Sequence, residues 1–232
     1  MNRAESLRIY IVLSSVAGAL ILAMVWLGTD GTVTPGARVA VGITFIAACA
    51  LGASMAVRPG WLRRTRKRTG HGPDIAAVDG SRRGRKGHHP DCEHFGAHTI
   101  KFGGEVLCGG CTGLILGSIL SIAGAICYMI FSLNEPRTVL LALLSSGLLI
   151  VALSIIEISL RPRQRHVHVL GNSLLVVGFL LVAIGVLELT GNVVYGLMTV
   201  LLSVLWLDAR IQLSGWRHGE ICSECPEACK AY

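Results

Sequence analysis

Six stretches of this chain are apolar over roughly the 20 residues that a helix needs to cross a bilayer. They lie at 7–28, 37–57, 106–133, 138–160, 170–189 and 193–211. The polar breaks TDGTVTPG, NEPR, RPRQRHVHV and LTGN are short, which predicts consecutive antiparallel helices. Only the break at 58–105 is long. The pattern therefore predicts an all-α integral membrane helical bundle with six transmembrane helices. The first stretch is too long for a signal peptide and has no small-residue cleavage site, so it reads as an uncleaved span. Trp26 stands where an interface anchor is expected.

The third stretch has a second pattern inside the first. Gly109, Gly113, Gly117, Ser121 and Ala125 recur at every fourth position. Small residues at this spacing form a ribbon on one helix face against which another helix can pack closely. The ribbon predicts that this helix stands near the centre of the bundle. Span 2 is rich in Ala and Gly and suits close contact for the same reason.

Composition agrees with the pattern. The chain is 52% hydrophobic and 15% charged, with a mean hydropathy of +0.62, whereas soluble domains carry about 25% charged residues. The net charge of +7 changes the picture only through its distribution. Two basic residues at the amino terminus, eleven in 58–105, three at 161–165 and three beyond 209 share one side, leaving Arg38 and Arg137 on the other. Lys and Arg in short loops favour the cytoplasm, so both termini and the long loop are expected there, with the protein in the cell membrane.

Residues 1–57 then read as an N-terminal transmembrane hairpin and 58–91 as a basic, flexible cytoplasmic loop. Residues 92–211 form a four-helix membrane domain, and 212–232 a Cys-rich cytoplasmic tail. Besides the bilayer itself, the basic loop suits anionic lipid headgroups. It lacks interleaved aromatics for stacking on bases, which argues against nucleic acid. A protein partner is compatible with the cytoplasmic segments.

Candidate chemistry gathers on the same side. Six of the eight cysteines fall in two polar clusters, and a reducing cytosol disfavours disulfides and favours ligation or redox use. Cys108-Gly-Gly-Cys111 has the spacing of two thiolates on one metal ion. It opens a helix, whose positive dipole end stabilises thiolates. Cys92 and His94 supply two further ligands of suitable type, with His98 as the substitute for His94. The tail adds Cys222, Cys225 and Cys229, with His218 nearby. Zinc is the leading cofactor and an iron–sulfur cluster the alternative, although no complete four-cysteine run is present.

His166 and His168 lie in a turn on this side and fall on one face if that turn is extended. Glu157 with Arg161, and Asp208 with Arg210, read as interfacial ion pairs. Asp208 or Glu157 is also suited to orient a ligand histidine. Glu188, at the opposite end, reads as marking a helix end. Cys49 and Cys127, inside spans, read as packing residues.

The run from Cys92 and His94 through Cys108, Cys111, Thr112 and Gly113 to Gly117, together with Gly171-Asn172 opening span 5, resembles a group of small prokaryotic multipass membrane proteins of unknown function. Their hallmark is a Cys/His element followed by Cys-x-x-Cys-Thr-Gly at the start of a Gly-rich helix. The resemblance covers roughly 90–185. Here Glu93 separates Cys92 from His94, where the group has the two adjacent. It implies a membrane protein with a cytoplasmic cysteine site and lends no activity. Three functional classes follow. The first is a protein with a metal site in a structural or interaction role. The second is a thiol–disulfide oxidoreductase using Cys108 and Cys111. The third is a transporter, for which mid-membrane charges are the usual mark and are scarce here.

Overall fold

The computed structural model describes residues 3–28, 31–57, 85–86, 99–102, 105–131, 133, 135–159 and 165–224. Six helices account for nearly all of them. They are α1 (Arg3–Leu27), α2 (Pro35–Val57), α3 (Gly109–Ile130), α4 (Arg137–Ser159), α5 (Arg165–Thr190) and α6 (Val193–Glu224). Each contains a segment long and apolar enough to cross a membrane. The surface they present is apolar: Trp26, Leu27, Ile119, Ile130, Leu149, Leu170 and Leu201 are all well exposed. Apolar side chains along the outer helix faces suit contact with lipid tails.

Local chemistry sets several helix ends. Thr34 caps α2, its Oγ1 accepting from the Ala37 amide at 3.2 Å, with Pro35 at the first helical position where its missing N–H costs nothing. The α5–α6 turn is a left-handed stop at Gly191 (φ 62°). A Cβ there would stand 2.5 Å from the Gly31 backbone, so glycine is required by both conformation and space. Asn192 Oδ1 then accepts from the Val194 amide at 2.9 Å and starts α6.

The centre of the bundle is α5, not α3. Sixty-one per cent of the α5 span is buried, against 33% for α3. The small-residue ribbon of α3 is buried throughout, at Gly109, Gly113, Gly117, Ser121 and Ala125, but it covers only one face. That face lies against α5, which runs parallel to it. A Cβ on Gly113 would collide with the Val169 carbonyl oxygen, and one on Gly117 would stand 2.6 Å from the Ser173 oxygen. The opposite face of α5 meets α4 antiparallel through a second run of glycines. Gly147 lies against Val182 and the Gly178 carbonyl, and Gly185 against Leu144. A helix with small residues on two faces is the one that others can enclose.

Short turns did not translate into consecutive hairpins throughout. The α4–α5 pair is such a hairpin, but α1 packs mainly on α6, and α2 mainly on α3 and α6. The indole Nε1 of Trp206 on α6 donates to the Ser14 carbonyl of α1 at 2.9 Å, and Phe179 on α5 stacks on the Trp206 ring with 6.2 Å between centroids.

A small sheet, absent from the all-helical expectation, precedes α3. Strands β1 (Arg85–Lys86), β2 (Thr99–Phe102) and β3 (Glu105–Cys108) lie in the order β1-β3-β2. β2 and β3 are antiparallel, and β1 pairs parallel with β3. The antiparallel pairing runs from Thr99 opposite Cys108 to Phe102 opposite Glu105. Most of the basic segment 58–91 lies outside the described residues.

Candidate functional site

The site begins where β3 becomes α3. Cys108 ends the strand and is the N-cap residue of the helix, with φ −72° and ψ 121°. Cys111 is the third helical residue, one turn on. The two thiols therefore face each other and hydrogen-bond together. Neither forms a disulfide; Cys108 is buried and Cys111 half-buried. Thr112 Oγ1 donates to the Cys108 carbonyl at 3.0 Å and ties down the turn. Sheet register places Thr99 opposite Cys108.

Beneath the thiols lies a buried polar cluster drawn from three other segments of chain. Asn172, about two turns into α5, donates from Nδ2 to the His168 carbonyl at 2.7 Å. Its Oδ1 accepts from Arg210 Nε of α6 at 3.0 Å. Arg210 Nη2 donates to Glu157 Oε2 of α4 at 2.9 Å. Glu157 Oε1 stands 3.1 Å from His168 Nδ1. Arg210 is 4% exposed, and no hydrogen bond reaches its Nη1. The cluster touches the thiol turn through Gly110, where a Cβ would lie 3.6 Å from Asn172 Nδ2 and 3.9 Å from Cys108 Sγ. Gly171 lets Glu157 approach, since a Cβ there would collide with Oε2. At the next residue of α5, Ser173 Oγ bonds the Gly113 and Val169 carbonyls, both at 2.9 Å, and pins α3 to α5.

Several expectations change here. His166 and His168 belong to α5, not to an extended turn. On a helix, residues two apart point to different sides; His168 joins Glu157 while His166 is exposed. Glu157 is paired with Arg210, 53 residues away, and with His168, so the carboxylate–histidine contact considered for this face exists. Arg161 lies outside the described residues. Asp208 is exposed and accepts from Gln212 Nε2 at 3.4 Å, so it is not a partner of Arg210. Helical geometry separates the two by about 200°. The signal for Arg210 was therefore present: with Asp208 outward, Arg210 must point inward and needs a remote partner.

The last helix runs beyond the expected end at 211, through Glu224, and carries a buried His218. Cys222 lies in this extension, about 18 Å further along the helix axis than Arg210. Cys92, His94, His98, Cys225 and Cys229 lie outside the described residues. Among the described residues, no group of three or more His, Cys, Asp or Glu side chains is arranged to hold a metal ion.

The opposite end has its own cluster. Glu188 Oε1 accepts from Arg38 Nε at 3.2 Å and from the Tyr128 hydroxyl at 2.7 Å. The Arg38 guanidinium also lies over the Tyr128 ring, 5.9 Å from its centroid. Glu188 therefore joins α2, α3 and α5 and does more than mark a helix end. Comparison of the chain with protein-family models, with curated proteins and with solved structures finds no match.

Proposed function

We propose that the chain is a multi-pass protein of the cell membrane whose cytoplasmic face is organised by a Cys/His metal site with a structural or interaction role. The observation that carries this reading is the contact between the Cys108 and Cys111 thiols across the first turn of α3. Two thiolates on one tetrahedral zinc stand roughly 3.8 Å apart, given a Zn–S bond of about 2.3 Å. Hydrogen-bonded thiols already have a similar spacing. Their sulfur donors, with an imidazole, select zinc over hard cations. Cys92 and His98 or His94 complete the set. The β2–β3 register supports a site at this strand end only in that it pairs Thr99 with Cys108. Cys222, Cys225 and Cys229 belong to a second site in the tail, given the distance of Cys222 along α6. The family resemblance at 90–185 is part of this reading and supplies no activity.

Elemental analysis of protein purified without chelator tests it. About one to two zinc ions per chain are expected, with one lost in the Cys108→Ser/Cys111→Ser variant and the tail site unaffected. A visible absorption band in place of zinc would assign iron–sulfur chemistry instead.

The thiol contact also favours a second reading, a thiol–disulfide exchange site, because the same spacing suits a disulfide. Cys111, the more exposed thiol, would be the attacking one. A metal-free protein whose Cys108–Cys111 disulfide exchanges with glutathione would replace the first reading with this one.

The orientation of the proposal rests on the excess of Lys and Arg at the end of the bundle that holds the thiols. A reporter that is active only in the cytoplasm, fused after Tyr232, is expected to be active. The same reporter inserted in the α1–α2 turn is expected to be silent. The reverse pattern would place the thiols on the oxidising side and remove the reason for preferring ligation over disulfides.

A further inference from the structure

Gly171-Asn172, near the start of α5, stands where four helices meet. Ser154 Oγ of α4 donates to the Gly171 carbonyl at 3.1 Å. Glu157 Oε2 and Arg210 Nη2 crowd the place where a Gly171 Cβ would stand. On its other side, Asn172 reaches α3. A Cβ on Gly113 would lie 2.9 Å from Asn172 Cβ, and one on Gly110 would lie 3.6 Å from Asn172 Nδ2. Asn172 thus joins the buried ion pair to the thiol turn.

The amide has a fixed direction. Arg210 Nε can only donate, and the His168 carbonyl can only accept. The bonds to them, at 3.0 and 2.7 Å, therefore decide which end of the amide is oxygen and which is nitrogen. Glu157 holds Arg210 in turn, at 2.9 Å. The nitrogen end is the one that meets the thiol turn. Among the described residues, the atoms nearest to the space left by the missing Gly110 side chain are Asn172 Nδ2 and, at 3.9 Å, Cys108 Sγ. Nδ2 carries two protons, and the His168 carbonyl takes one. The other belongs to a partial positive charge beside a buried sulfur. A neutral thiol gains little from such a neighbour, because its sulfur is a weak acceptor. A metal-bound thiolate carries negative charge and gains more, since hydrogen bonds with an ionised partner are roughly twice as strong as neutral ones.

We propose that Asn172 is a positioning residue for the thiol site. It stabilises the Cys108 thiolate when metal is bound, and Arg210 and Glu157 keep its N–H end toward the sulfur. This role rests on the metal reading and gives the ion pair beneath the thiols a purpose. The two charges of the pair oppose each other, so what they pass to the sulfur is the orientation of the amide.

The test is zinc affinity, measured on full-length protein in detergent by competition with a chelating dye. The zinc ion followed is the one that Cys108→Ser/Cys111→Ser loses. Asn172→Asp keeps an acceptor for Arg210 and replaces the N–H end with a carboxylate oxygen. It is expected to bind this zinc at least about tenfold more weakly, within the usual range for groups that orient metal ligands. Ser173→Ala is the control, because it cuts the bonds to the Gly113 and Val169 carbonyls at the same interface and leaves Asn172 in place. It is expected to lower the melting temperature and keep the wild-type zinc affinity. Equal losses of affinity in the two variants would make Asn172 a packing residue and overturn the proposal, as would wild-type affinity in Asn172→Asp. A measurement on wild type covers the case in which Asn172→Asp does not fold. With isotope-labelled asparagine, the side-chain amide resonance of Asn172 is expected to shift on zinc addition, while that of Asn192, at the opposite end of the bundle, stays. A stationary Asn172 resonance in zinc-loaded protein would overturn the proposal and leave the metal reading intact. Wild type that holds no zinc at the thiols would overturn both.

Discussion

Arg210→Met is expected to destabilise the folded protein by about 3–5 kcal/mol, the usual cost of removing one partner from a buried ion pair. The size follows from what is left behind. Glu157 keeps only His168 as a partner, and its side chain is 12% exposed. Asn172 Oδ1 loses its donor at the same time. An uncompensated carboxylate and an unsatisfied amide are each more costly than the net worth of the bonds they made. Methionine keeps most of the stem volume, so the loss reports charge and hydrogen bonding more than packing. Glu157→Gln in the same chain is expected to recover about 1–3 kcal/mol, because the two residues are in contact and their effects do not add. The measurement is thermal or denaturant unfolding in detergent, followed by the Trp206 environment. A single variant with wild-type stability would show that the pair is solvated and contributes nothing.

That pair also shows where the sequence is legible and where it is not. Spans were readable because an unbroken run of about twenty apolar residues suits the bilayer interior and little else. The ribbon on α3 was readable because its period of four is that of a helix face. Its partner was not, since nothing in a run of glycines names the helix it will touch. α5 hid its central role in plain Leu, Val and Gly, and in the polar start that made RHVHVLGN look like a turn. In the folded chain the whole run is helical, with His168 meeting Glu157 of α4 and Asn172 meeting Arg210 of α6. Glu157 and Arg210 had nearby opposite charges in the sequence, at Arg161 and Asp208, and local spacing favoured the wrong partners. Only the fold brings together residues 53 positions apart. The hairpin beside Cys108 did carry a signal, TIKF and EVLC around two glycines, but strands of four residues are easily lost beside six long apolar runs. Of the candidate site, the thiol pair was legible from spacing alone, while the cluster beneath it required tertiary structure.

Gly117→Leu is expected to reduce the yield of folded protein by about tenfold or more, with Gly113→Leu behaving alike. Overpacking commonly costs about 1–3 kcal/mol when side chains can shift, but here the obstacle is backbone. A Cβ at Gly117 would stand 2.6 Å from the Ser173 carbonyl oxygen and 2.8 Å from its Cα. Neither atom can turn aside, so α3 and α5 must part. Parting them would break the Ser173 bond to the Gly113 carbonyl and draw Gly110 away from Asn172. The effect would therefore spread from packing to the site, since the thiol turn and the Arg210 cluster are held in register by this one interface. Gly110→Ala is the matched control on the same helix. Its Cβ would meet Asn172 and Cys108 only at ordinary van der Waals distances, and its yield and melting temperature are expected to match wild type. Size-exclusion profiles and melting curves of the three variants, prepared side by side, decide the matter. Equal yield from Gly117→Leu and Gly110→Ala would mean that α3 and α5 are not in backbone contact, and the placement of the thiols over Asn172 and Arg210 would fall with it.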